Sequence, residues 1–187
     1  HPLPEPFQVF ATRNPIEQEG TYPLPEAQLD RFLLEIHVDY PSEEEERQIA
    51  RRTTSGQRTQ IEAVVDHTDV QAFGELVPQV PATDEAVSLA VALARASRPD
   101  SSMASAEVKQ YVRFGAGPRG TQALVLASKG RAVLRGDPVV DVEDVLAMAA
   151  PALRHRLVLS YRAEADSVSS LDLVERIVRE QRSRLKI

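Results

Sequence analysis

Residues Phe7–Phe32 read FQVFATRNPIEQEGTYPLPEAQLDRF, and the fold class turns on them. FQVFAT, residues 7–12, is an apolar run of strand length bounded by Pro6 and by Asn14-Pro15. It lacks clean alternation, which suggests a strand buried on both faces, as in a parallel sheet. Ile16 to Leu24 reads as loop, and Pro25 is placed to open a short helix ending in Asp30-Arg31-Phe32. Leu33 to Val38, LLEIHV, reads as a second strand, broken by Tyr40-Pro41. Ser42 and Glu45 then form a capping-box pattern ahead of a polar helix running to about Thr54. Strand, helix, strand, helix is an α/β alternation. On the other side of the stretch, three prolines within His1–Pro6 make the start extended.

Beyond the polar gap Thr53–Gln60 the chain changes character, and helical periods dominate. A short helix is expected over Asp69–Val77, stopped by Pro78, and Thr83 caps another that runs to about Ser97. The body of the latter, AVSLAVALARA, is apolar nearly all round and predicts a central, covered helix. Further helices are expected over Ala106–Phe114, from Pro118 to Gly136, from Asp141 to about Leu157, and over Ser170–Arg182. The Pro118 helix would bury Ala123, Leu126, Ala127, Gly130 and Leu134, and the Asp141 helix Val142, Val145, Leu146, Ala149 and Leu153. The expected fold is therefore mainly α: a two-strand α/β remnant over 1–54 and an all-α bundle over 55–187.

Composition narrows the function classes. Apolar residues at 42% allow a core, but aromatics at 5% and no Trp leave it to Leu, Val and Ala. Lys+Arg 22 against Asp+Glu 28 gives −6, which disfavours a nucleic-acid binder with its basic stripe. Zero cysteines exclude disulfides and thiolate metal sites and fit a reducing cytoplasm. No apolar run approaches the roughly 20 residues that span a bilayer, and the N-terminus does not read as a signal peptide. The four histidines show no metal-ligand spacing, and no G-x-S-x-G elbow occurs. Glu17 and Glu19 could form an acid/base pair, but loop carboxylates beside a glycine read more simply as solvated.

Three polar residues could handle phosphate, and each has a plainer reading. Asn14 follows the C-terminal end of a parallel-type strand, the edge where α/β sheets bind ligands; it could donate to a phosphate oxygen or cap its own Asn-Pro turn. Arg31 ends a short helix beside Asp30; it could stabilise charge on a transferred phosphoryl group or complement the helix C-terminus. Arg119 lies in GAGPRGTQ, one residue after the helix-opening Pro118. A cation in a first helical turn opposes the macrodipole, which an anion bound there would offset, as would a surface carboxylate.

ATRNPIEQEGTYPLPEAQLDRF, GAGPRG and RGDPVVDVEDVLAMAAPALRHRL together resemble the MoxR-type AAA+ ATPases, over nearly the whole chain from about Pro4 to the last helix. The resemblance implies that Asn14 is sensor 1, positioning the hydrolytic water, that Arg31 is the arginine finger reaching a neighbouring subunit's nucleotide, and that Arg119 is sensor 2 on the lid domain. It implies ATP and magnesium as cofactors of the intact protein, a ring oligomer, usually a hexamer, and chaperone-like maturation of client proteins or partners with von Willebrand factor A domains. One neighbour departs: the family commonly has Gln where this chain has Arg13.

The phosphate-cradling G-x-x-x-x-G-K-[ST] occurs nowhere in the 187 residues, and neither does a Walker B strand with its Asp-Glu pair. The expectation is thus the C-terminal part of such an ATPase, with sheet edge exposed over 1–54 and no hydrolysis by this chain alone. A non-catalytic helical interaction module is the reading from another class; a DNA-binding helical domain is a third, disfavoured by the acidic charge. Arg154, His155 and Arg156 read only as a basic helix C-terminus.

Overall fold

The computed structural model describes residues 3, 5–13, 24–56 and 61–185. Helices dominate it: α1 (Glu26–Leu29), α2 (Glu43–Thr54), α3 (His67–Leu76), α4 (Asp84–Ala96), α5 (Ala106–Tyr111), α6 (Pro118–Arg135), α7 (Val142–Leu153), α8 (Tyr161–Ala165) and α9 (Ser170–Leu185). One small antiparallel sheet pairs β1 (Val112–Phe114) with β2 (Val158–Leu159), with Val112 opposite Leu159.

The centre of the bundle is α4, against which α6, α7 and α9 pack. Its Leu89, Ala90, Leu93 and Ala94 are fully buried, a spacing of three to four that puts them on one side of the helix. The facing side chains are small or branched aliphatics, Ala123 and Leu124 from α6, Val145 and Ala149 from α7, Val174 and Ile177 from α9. Alanine at so many contact positions lets the helix axes approach closely. The expected Leu-Val-Ala core is thus present, and the fold is mainly α with a small core-like remnant ahead of it.

Local chemistry sets the ends. Thr83 Oγ1 accepts from Ala86 N at 3.1 Å. Asp141 and Asp144 close a reciprocal capping box at α7, as Ser42 and Glu45 do at α2. Gly136, at φ 75°, ends α6, with Gly136 N–H bonded to Val133 O and Asp137 N–H to Ala132 O, the paired bonds of a left-handed glycine stop.

Several expectations change. Residues 7–13 and 34–40 have no strand pairing among the described residues. A strand needs a neighbour for its backbone bonds, and no described segment supplies one; Phe10, Ile36 and Val38 lie 92%, 76% and 86% exposed. The helix expected over 106–114 stops at Tyr111, because Val112–Phe114 pairs with β2 instead. The helix expected from Asp141 to Leu157 ends at Leu153 and passes through a 3-10 turn, Arg154–Arg156. On α6, Leu126 and Leu134 are exposed; Gly120, Leu124 and Ala132 take the buried face with Ala123 and Ala127. The short α8 was not expected. Among the described residues no helix is long and apolar enough to cross a membrane.

Candidate functional site

Arg31, Arg119 and the 3-10 turn Arg154–Arg156 meet around one short segment, residues 30–35. Asn14 lies outside the described residues. Pro25 caps α1, which is a single turn, and Asp30 to Leu33 turn out of it without regular structure. This knuckle then lies across the C-terminal end of α7.

That helix end has carbonyls without intrahelical partners; the knuckle supplies one donor and the turn's own Arg156 another. Glu35 N–H bonds Pro151 O at 2.8 Å, and Arg156 Nη1 donates to Ala152 O. In return the turn donates to the knuckle. Arg154 reaches Glu35 O through Nε at 3.2 Å and Nη2 at 2.7 Å. His155 Nε2 lies 3.1 Å from Phe32 O; a carbonyl can only accept, so this ring nitrogen carries the proton.

Arg156 is the centre of the arrangement, its side chain only 3% exposed. Nε donates to Asp30 Oδ1 at 3.0 Å, Nη2 to Asp30 O at 3.0 Å and Phe32 O at 2.6 Å, and Nη1 to Leu33 O at 3.2 Å. With Ala152 O this uses all five N–H donors that a guanidinium has. Burial pushes Arg156 below its ordinary pKa, and the hydrogen bond and charge of Asp30 oppose that.

Asp30 faces a second cation. Arg119 Nη1 lies 3.8 Å from Asp30 Oδ2, with the Arg119 side chain 53% exposed and that of Asp30 31%. Such a wide, wet pair holds little energy, so Arg119 is free to exchange Asp30 for another anion. Arg31 is exposed, and its side chain makes no hydrogen bond or ion pair with another described residue. Asp30 thus has Arg31 next to it in the chain, exposed and without a side-chain partner among the described residues, and faces Arg119 of α6, which it holds loosely.

The loop before Arg119 is fixed from α4. Ser97 Oγ accepts from Ala116 N at 2.9 Å and donates to Ala94 O at 2.8 Å, and Arg98 Nε donates to Ala116 O at 2.8 Å. The glycines divide by role. A Cβ on Gly115 would sit 2.2 Å from Ser97 O, and one on Gly120 would meet Ala116 Cβ at 2.8 Å and Arg156 Cδ at 3.4 Å, whereas Gly117 faces open space. Gly120 is therefore what lets α6 lie against the buried Arg156 stem, and Gly117 leaves the first turn of α6 open.

The Arg154–Arg156 cluster is the element that sequence reasoning missed. A signal existed: Val145, Ala149, Ala152 and Arg156 continue one buried stripe of α7, and an arginine on such a stripe has to be satisfied internally. Among the described residues no group of acidic or histidine side chains could hold a metal ion.

Comparisons with known proteins bear on the family of the chain. A family model described as the ATPase family associated with various cellular activities matches residues 1–34, and an AAA lid domain model matches 104–177. Chaperone MoxR1 of Mycobacterium tuberculosis is 41% identical over 95% of this chain and 47% of its own length. Protein MoxR of Paracoccus denitrificans is 34% identical over 82% of this chain and 49% of its own. A crystal structure from Cytophaga hutchinsonii, of a protein described as an ATPase, superposes with a TM-score of 0.86 at 34% identity, covering 96% of this chain and 55% of that one. The chain spans about half the length of the curated relatives it matches. From the two matched models, their order and these relatives, the chain belongs to the MoxR-type AAA+ ATPases.

Proposed function

We propose that this chain supplies the phosphate-sensing half of an ATP-hydrolysing ring. Residues 1–54 are the end of its AAA+ core and 55–187 its lid. The observation that carries the reading is the arrangement about Asp30: Arg31 beside it is exposed and unpaired among the described residues, and Arg119 of α6 is loosely held by it at 3.8 Å. Two cations that share Asp30 as a neighbour suit a multiply charged terminal phosphate better than a single surface ion pair does.

In this reading Arg31 stabilises charge that develops on the transferred phosphoryl group, and Arg119 exchanges Asp30 for a phosphate oxygen. Their common anchor favours action at one nucleotide, which a finger would reach on a neighbouring subunit. Asn14 holds the attacking water. These residues fit the outer edge of a nucleotide and not the whole of it: no phosphate loop or Walker B pair occurs in the 187 residues. ATP with magnesium supplies the scissile bond and is held by elements outside them. The intact protein acts as a cytoplasmic, hexameric, chaperone-like ATPase on client proteins, those with von Willebrand factor A domains included.

The test is ATPase turnover of the full-length protein. Arg31→Ala is expected to lower kcat by about 10³-fold, the lower end for such a cation, with Arg119→Ala giving a smaller loss and both variants still folded. Unchanged rates in both variants would leave the non-catalytic interaction module as the better reading, and turnover by this chain alone would overturn the expectation that the phosphate loop must come from elsewhere.

A further inference from the structure

The knuckle that carries Arg31 is held in a way that simple attachment does not require. Beside the partly buried Leu34, its contact with the helical body is a set of hydrogen bonds. A single nitrogen, Arg156 Nη2, bonds the carbonyls on both sides of Arg31, Asp30 O at 3.0 Å and Phe32 O at 2.6 Å. Arg156 Nη1 takes the next carbonyl, Leu33 O, at 3.2 Å. Three carbonyls of four consecutive residues therefore converge on one buried guanidinium, and the backbone that bears Arg31 is wrapped around it. His155 adds a second donor to Phe32 O at 3.1 Å.

We infer that Arg156 is a positioning residue for phosphoryl transfer: carried by the helical body, it fixes the backbone of Arg31 and, through the Asp30 carboxylate, ties Arg31 and Arg119 into one unit. The inference rests on the assignment of Arg31 as the phosphate-contacting cation. Arg156 is buried and does not itself reach a ligand; it acts through its neighbours.

The geometry explains why arginine is needed. Fixing a peptide segment in orientation takes several bonds from a rigid donor set, and the planar guanidinium has five N–H groups in fixed directions. A lysine ammonium has three, on a flexible stem. The Asp30 carboxylate completes the link: Oδ1 receives Arg156 Nε at 3.0 Å, and Oδ2 faces Arg119 Nη1 at 3.8 Å. A shift of the helical body would then move both exposed cations together. Gly120 lies beside the same stem: a Cβ there would overlap Ala116 Cβ at 2.8 Å and just touch Arg156 Cδ at 3.4 Å.

The experiment is a double-mutant cycle in the full-length ATPase. Arg156→Lys keeps the charge and loses the fork. It is expected to lower kcat by between about ten- and a hundredfold, the scale of an ångström-sized misplacement of a reacting group, while KM for ATP stays within about twofold. In an Arg31→Ala background the same substitution is expected to cause at most a small further loss, through Arg119, because most of its effect runs through Arg31. A normal kcat for Arg156→Lys, beside a crippled Arg31→Ala, overturns this inference and leaves the finger assignment standing. Losses that multiply in the double variant overturn it as well. Wild-type turnover in Arg31→Ala overturns the finger assignment and this inference with it. If Arg156→Lys does not fold, Asp30→Asn decides on the same cycle, since it leaves every carbonyl acceptor in place. A kcat loss that largely vanishes in the Arg31→Ala background supports the inference, and an unchanged kcat or a multiplying loss overturns it.

Discussion

Adding one methyl group at Gly115 and one at Gly117 should have opposite consequences, although the two positions are a residue apart. At Gly115 the new Cβ would sit 2.2 Å from Ser97 O, 2.5 Å from Ser97 C and 2.7 Å from Arg98 N. All three are backbone atoms at the end of α4, so no side chain can rotate away. The loop has to lift off, and that breaks the bond from Ala116 N–H to Ser97 Oγ at 2.9 Å, which is buried on both sides. Overpacking of this kind costs up to about 3 kcal/mol, and an orphaned buried amide adds roughly 1–3 kcal/mol. A loss of about 3 kcal/mol or more in Gly115→Ala corresponds to a Tm drop of roughly 6–12 °C for a chain of this size. Gly117 has nothing within 4 Å and an ordinary φ of −76° as the N-cap of α6. Gly117→Ala should cost only the difference in capping preference, at most about 1 kcal/mol. Thermal and urea unfolding of both variants read the contrast directly. If Gly115→Ala stays within about 1 kcal/mol of wild type, or the two variants lose equally, then the laying of this loop against α4 is wrong. The support given to Arg119 would be wrong with it.

Other outcomes follow from single contacts. Asp144 is 1% exposed, bonds Arg131 and Arg135 and closes the α7 capping box; Asp144→Ala should cost about 2–3 kcal/mol in urea unfolding, below the usual 3–5 for a broken buried pair because both arginines reach water. Burial, and then the charge of Arg156, pull the His155 pKa below its ordinary 6.5, and its buried Nδ1 has no partner among the described residues. The unfolded chain therefore takes up the proton first as pH falls, so stability should decline below about pH 6.5 and level off under the depressed folded value. His155→Gln should flatten that decline in pH-dependent unfolding. Ser42→Ala removes the α2 cap, and no residue of α2 is buried. It should fray α2 by about 1 kcal/mol, visible in amide exchange, and leave the Tm of the helical bundle unchanged.

What the sequence made legible was local. Ser42 with Glu45, Thr83, Pro118, Gly136 and Asp141 all mark the ends they were expected to mark, because a cap is settled within four residues of chain. Asp69–Val77 was nearly right, but the helix starts at His67, since Asp66 caps it with Asp69 as its partner. The non-local features were not legible. Val112 and Phe114 have residues expected in either a strand or a helix end, and only β2, more than forty residues on, decides between them. The strand expected over 33–38 failed for the same reason. Glu35 does satisfy its backbone groups, but its N–H goes to Pro151 and its carbonyl to Arg154, neither of them a strand neighbour. Of the candidate site, Arg31 and Arg119 were readable as cations in suggestive places. That Asp30 lies between Arg119 and Arg156 was not, because the partners lie far apart along the chain.

The chemistry of the joint between the knuckle and the bundle bears on what it is for. Apolar burial is non-directional: two hydrophobic surfaces can slide by an ångström with little change in buried area. The knuckle has little of it; Leu34 is only partly buried against the core, and Leu33 is 42% exposed. What holds it is a set of hydrogen bonds from Arg154, His155 and Arg156 to four carbonyls and a carboxylate. Such bonds weaken steeply with angle, so they fix orientation as well as distance. They also carry a desolvation cost that an apolar contact would have avoided, and replacing buried polar pairs by hydrophobic ones is often neutral or stabilising. A joint selected for stability alone would not need three cationic or polar side chains in succession. One that must hold Arg31 at a fixed angle to the helical body does need a rigid, multiply bonded donor, and Arg156 gives the knuckle four of its five N–H groups and α7 the fifth.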